Sequence, residues 1–185
     1  MADPLITPAP GFDQPVAVLK HCHDRIRKQL DTLGRLQQHL QQAGHTVEAE
    51  QAATAVLRYF NQSANQHHAD EEEDLLPMLQ ASAVGEDAAL LAALMPQILD
   101  EHQQMAQRWQ SLDQQLQAVV RGGATGLDAN DVQGFAELYS GHMEIEETKI
   151  APMAKRLFSD EQMHKLGNAM RARRGIPEEP LNVNR

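Results

Sequence analysis

The amino-acid sequence predicts an all-α fold, an antiparallel up-down four-helix bundle with a short C-terminal fifth helix. Apolar residues recur at steps of three and four through four long segments, the spacing that lines one face of a 3.6-residue helix. Breaks at Gln42-Ala43-Gly44, Gly85 and Gly122-Gly123 separate these segments by short connections, as between antiparallel neighbours in a bundle. Aromatics make up only 4% of the 185 residues while Ala, Leu, Gln and Glu abound, whereas strands draw on β-branched and aromatic side chains.

Each element follows from its own pattern. Residues 1–12 carry three prolines and a glycine and read as an irregular lead-in. Helix one begins at Asp13, tolerates Pro15 in its first turn, and carries Val16, Leu19, Ile26, Leu30, Leu33 and Leu40. Helix two, about 46–80, carries Ala53, Val56, Leu57, Phe60, Ala64, Leu75 and Met78. Helix three carries Leu91, Ile98, Met105, Trp109, Leu112, Leu116 and Val119, with a kink or restart expected at Pro96. Helix four starts near Asp128 and runs through Val132, Phe135, Tyr139, Ile150 and Met153. Ser159 and Gln162 then form a capping box for a fifth helix that docks Met163, Leu166 and Met170, and a loose tail is expected from Gly175. The bundle domain is thus 13–157, with 158–185 as the appended helix and tail, a length that supports one core.

Charge and cysteine usage narrow the function. A formal charge of −10 opposes nucleic acid and anionic membranes, which demand basic patches. The N-terminal residues show neither a basic n-region nor an apolar h-region, and no apolar run is long enough to span a bilayer, so a cytoplasmic protein is expected. Cys22 is the only cysteine, which rules out an internal disulfide or a Cys-based zinc or iron–sulfur site built from this chain alone. A bound metal must rest on His and carboxylates.

Such residues stand where apolar ones are due. Stepping by three or four puts His23 inward on helix one, His67 and Glu71 on helix two, His102 on helix three, and His142 and Glu146 on helix four. A pair four residues apart differs by about 40° in azimuth and converges on one point. The layer holds two carboxylates and no inward Lys or Arg, a burial cost of several kcal/mol that cations would relieve. The segment HHADEEEDLLPM at 67–78 also matches HMEIEETKIAPM at 142–153 with an offset of 142 − 67 = 75, and Phe60 and Phe135 each precede their His by seven. Two helical hairpins related by a pseudo-two-fold follow, with two similar metal sites. Imidazole with carboxylate and no thiolate suits iron, manganese or zinc, and two carboxylates able to bridge favour a dinuclear centre.

Other polar residues read more plainly. His21, His39 and His68 fall off the stripes, His45 lies in a loop and His164 in the tail helix, so all five are expected to be solvated. Cys22 and His21 point about 100° and 200° away from His23, and Cys22 reads as a small packing residue. Glu72, Glu73, Asp74 and Glu147 read as a solvated face from which some carboxylates can orient ligand imidazoles. Tyr139 and Trp109 read as core packing, with lining of an access channel the lesser reading.

LKHCHDRI in helix one, HHADEEEDLLP in helix two, DEHQQM in helix three and HMEIEETKIAP in helix four together resemble the hemerythrin-like, HHE cation-binding family over about residues 13–157. The resemblance implies a non-haem centre of two iron ions, oxo- or hydroxo-bridged. Glu71 and Glu146 would bridge, and His23, His67, His102 and His142 would be terminal ligands. Oxygen-carrying members have a further His four residues after the helix-three ligand, where this chain has Ala106, leaving four protein ligands per iron. O2, nitric oxide or peroxide is then the expected partner. A sensor, scavenger or store of O2 or nitric oxide is the leading expectation. The alternatives are a di-iron oxidase, peroxidase or nitric-oxide reductase, and an iron donor that repairs iron centres. A ferritin-type site is disfavoured, since such sites need two Glu-x-x-His pairs and Glu161 to His164 is the only one.

Overall fold

A computed structural model describes residues 9–124 and 126–180. The expectations for residues 1–8 and for the end of the tail lie outside that range. Helix α1 is Pro15–Ala43, and Gly44, at φ 69°, ends it with its N–H on the Leu40 carbonyl, a left-handed position that suits glycine. Helix α2 runs continuously over 47–82, opened by Thr46, whose hydroxyl accepts from the Ala49 N–H. Helix α3 is Gly85–Val120. Helix α4 covers 129–157 and is capped by Asp128, whose carboxylate accepts from the N–H groups of Asn130 and Asp131. Helix α5 is Asp160–Arg173, with both bonds of the Ser159–Gln162 capping box formed. No strand occurs among the described residues, and no helix among them is long and apolar enough to cross a membrane.

Three departures from simple periodicity matter. Pro96 does not restart its helix, since α3 is unbroken across it. Pro96 and Ala92, whose carbonyl loses its partner, are both on the exposed face, where solvent takes up the freed acceptor. Within α2, Tyr59–Ala64 and Asp70–Leu75 are π-helical, as is Glu146–Ile150 in α4. Each wider turn accommodates an extra residue in the helical register. In α2 the inward position after Leu75 therefore passes to Leu76 and Leu79, both buried, and Met78 is only partly covered. Two of these π turns contain Glu71 and Glu146.

The apolar interior is split in two. One cluster includes Ile26, Phe60, Met105, Phe135 and Tyr139, and the other Leu19, Leu75, Ile98, Ile150 and Met153. Along every bundle helix the predicted polar positions fall between members of the two clusters. Phe60 and Phe135 meet edge to face at 5.1 Å beneath the polar layer, the repeat of aromatic positions realised as a contact across the pseudo-two-fold.

The fifth helix closes one end of the bundle, where Leu166 and Met170 are buried. Gly167 lies under the backbone of Phe12 so closely that an added Cβ would sit 2.0 Å from its carbonyl oxygen. The chain after Gly175 is tied down where a loose tail is predicted, because Asn168 and Glu179 exchange two backbone–side-chain hydrogen bonds of 3.0 Å. Asp70, fully buried, takes Arg173 at 2.5 Å and Arg174 at 2.6 Å from this helix.

Candidate metal centre

All six polar side chains singled out by the stripes meet in one layer, and His23, His67, Glu71, His102, His142 and Glu146 are each 4% exposed or less. They form two quartets whose candidate ligand atoms lie within 4.8 Å of one another: His23, His67, Glu71 and Glu146, and Glu71, His102, His142 and Glu146. Each carboxylate presents one oxygen to each quartet. Glu71 Oε1 is 3.2 Å from His67 Nε2 while its Oε2 is 3.5 Å from His102 Nε2. Glu146 Oε2 is 3.1 Å from His23 Nε2 while its Oε1 is 3.3 Å from His142 Nε2.

These approaches lack the angles of hydrogen bonds. His23 Nε2, His67 Nε2, Glu71 Oε2 and both oxygens of Glu146 are buried without a hydrogen-bonding partner. Unmet buried groups cost about 1–3 kcal/mol each, so five of them cost on the order of 10 kcal/mol, comparable with the whole stability of a domain. Outward-facing carboxylates explain why the nitrogens point inward as lone pairs. His23 Nδ1 lies 3.0 Å from Glu147, His102 Nδ1 2.6 Å from Glu72, and His142 Nδ1 2.8 Å from Glu101. A carboxylate at Nδ1 holds the proton there and leaves Nε2 free to ligate. The Nε2 atoms of His102 and His142 then face each other at 3.0 Å, an arrangement that a shared cation stabilises. The donor set fits iron, manganese or zinc.

The protein residues alone leave the protonation of the layer split. Burial pushes Glu71 well above the ordinary carboxylate range, and the neighbouring Glu146 charge adds to it. Burial acts on Glu146 in the same direction, but His142 and His23 outweigh it and hold Glu146 well below that range. Burial, then the neighbouring His23, drives His67 down. Burial and His142 lower His102 against the pull of Glu72. His142 is raised instead, because Glu146 and Glu101 outweigh its burial. Neutral imidazoles and ionised carboxylates are the forms that bind metals, so the shifts of His67, His102 and Glu146 favour binding while those of Glu71 and His142 run against it.

Several residues depart from their sequence reading. Glu101 lies off the apolar stripe of α3 and so carries no periodic signal; its position immediately before His102 is the one mark it leaves in the sequence. Glu72 and Glu147 each follow a layer glutamate by one residue and reach across to a histidine of another helix, an orienting role open to them from the sequence. Position 22, the counterpart of Glu101 before His23, holds Cys22, which packs against the second apolar cluster, and His67 Nδ1 has no hydrogen-bonding partner. His68 is half-buried, not fully solvated. It stacks on His102 at 4.1 Å and 11°, with Nε2 3.4 Å from the Tyr139 hydroxyl, because its place beside a π turn and across from α3 covers it. His39 and His45 are also engaged, with the Thr46 hydroxyl at 2.8 Å and the Val119 carbonyl at 2.9 Å respectively. His21 and His164 are half-buried.

Fold and site together define a helical bundle with a buried His–carboxylate layer able to hold metal ions. The family model for the hemerythrin HHE cation-binding domain matches residues 14–154, and the chain belongs to that family. An uncharacterized protein of Haemophilus influenzae is 25% identical over 167 residues, spanning 90% of this chain and 94% of its own length.

Proposed function

We propose that the protein holds two iron ions, one in each quartet, with Glu71 and Glu146 bridging them and His23, His67, His102 and His142 as terminal ligands, and that it binds O2 or nitric oxide as a sensor, scavenger or store. The observation that carries this reading is the sharing of both carboxylates, one oxygen apiece, between two His pairs. Manganese and zinc fit the same donors, but iron supplies the redox chemistry that O2 and nitric oxide require.

A cavity of about 20 Å³ beside His23, Glu71 and Glu146 supports a small ligand. Besides these polar side chains it is walled by Val16, Leu19, Leu75 and Ile150, and a space of that size holds one small molecule, a water or a diatomic. Glu147, Glu72 and Glu101 orient the imidazoles, and the aromatic cluster around Phe60 and Phe135 excludes bulk water from below. A cytoplasmic location accords with the single cysteine and the acidic charge.

Mixing anaerobic Fe(II) protein with nitric oxide or O2 tests the reading. A new visible absorption band that is absent from Glu71→Gln is the expected result, and an unchanged spectrum contradicts it. The second reading is an oxidoreductase: an oxidase, peroxidase or nitric-oxide reductase. It is favoured by the four-ligand quartets, which leave positions open for reaction, and by buried Tyr139 near the second pair of histidines. On that reading Ala106→His slows turnover and prolongs any O2 adduct. An iron donor would instead release its metal readily to a chelator.

A further inference from the structure

A cleft of about 500 Å³ opens from solvent between α2 and α3 and reaches His102, with His68 in its wall. Its charged lining residues are Glu72 and Glu73, and no Lys or Arg lines it. Glu72 reaches His102 Nδ1 at 2.6 Å, while Glu73 shares its charge with Arg173 at 2.8 Å. The opposite approach to the layer, past His23, differs in kind. There a cleft of about 390 Å³, in whose lining Lys20 and Lys155 offset Asp24 and Glu147, adjoins the small, mostly apolar cavity, so that approach has no net negative charge to draw a cation and its inner walls oppose a hydrated one.

His68 is placed to control the acidic approach. Its ligand nitrogen lies within 4.8 Å of those of His102 and His142, yet as posed it cannot bind the same ion as His102. A metal lies in the plane of each imidazole that binds it, and two rings stacked at 4.1 Å and 11° have planes that do not meet near the site. Turning His68 about its Cα–Cβ bond gives up one weak polar contact, the 3.4 Å approach to Tyr139, and the ring contacts with His102, His67 and His142. That movement uncovers His102 and brings a third nitrogen toward the incoming ion.

We propose that this acidic cleft is the route by which divalent metal ions enter and leave the buried layer, and that His68 is its swinging gate. The proposal rests on the metal-binding reading of the layer. It makes His68 a residue of metal exchange and leaves permanent ligation to the two quartets.

Uptake of Co(II) by the metal-free protein under argon, followed by its visible absorption, tests the route. Ala106→Phe fills the cleft from an exposed position of α3 and should slow uptake at least tenfold with the final stoichiometry unchanged. His68→Ala should speed both uptake and release to a chelator by a similar factor. Ala17→Phe, in the other cleft, should leave uptake at the wild-type rate. An unslowed Ala106→Phe protein, or slowing by Ala17→Phe instead, overturns the route. Failure of the wild-type chain to bind Co(II) or Fe(II) at all would instead overturn the metal-binding reading.

Discussion

Glu71 and Glu146 share one layer, yet their surroundings shift them in opposite directions. A carboxyl whose folded pKa is raised above its unfolded value of about 4.3 favours folding below that value, and the benefit is lost as pH rises through the folded pKa. Glu71 is of this kind, so metal-free Glu71→Gln should gain about 1–3 kcal/mol over metal-free wild type at pH 7, and the gap should shrink toward pH 5. Glu146 is lowered, so its contribution is present above about pH 4.3 and lost as pH falls. Metal-free Glu146→Gln should therefore be less stable than wild type at pH 7. Thermal unfolding at the two pH values measures both, and shifts of the same sign would contradict the assignment. The orienting carboxylates differ in another way, because they touch no metal. Glu101→Gln should weaken one of the two metal positions about 10- to 100-fold, which a metal titration resolves as one weakened and one unchanged step; equal weakening of both contradicts it.

At the scale of helices, periodicity revealed which side chains face inward because burial and helical geometry share the same 3.6-residue repeat. All six layer residues were legible on that basis, and the Ser159 capping box was legible from its own motif. The π turns were not, since an inserted residue leaves no mark in composition and only displaces the stripe, from Met78 to Leu79 in α2. His68 escaped for a related reason: it sits off the stripe of its own helix and is half-covered by the neighbouring α3, a tertiary fact. Nor does local sequence connect Asp70 with arginines more than a hundred residues away. Their pairing makes α5 part of the bundle, and it yields an element-scale prediction. Arg174→Ala leaves fully buried Asp70 with Arg173 alone, and should cost about 1–3 kcal/mol, because charged hydrogen bonds are lost while the carboxylate keeps one partner, read from urea unfolding. A loss below about 0.5 kcal/mol would show the pair to be a surface-like contact.

Across the whole molecule, each hairpin brings two histidines to one quartet, α1 and α2 supplying His23 and His67, and α3 and α4 supplying His102 and His142. The carboxylates of α2 and α4 serve both quartets. Ions held there cross-link the halves of the bundle, so binding adds to stability by mass action, about 4 kcal/mol at a thousandfold excess over Kd. Acid reverses the effect, because protons compete for the imidazoles and carboxylates. The most direct test is the iron retained per chain after anaerobic Fe(II) loading and desalting, compared with Glu71→Gln and Glu146→Gln. Two irons per wild-type chain and fewer than one in either variant is the predicted result. A wild-type chain that retains none, or variants that retain both, would contradict it.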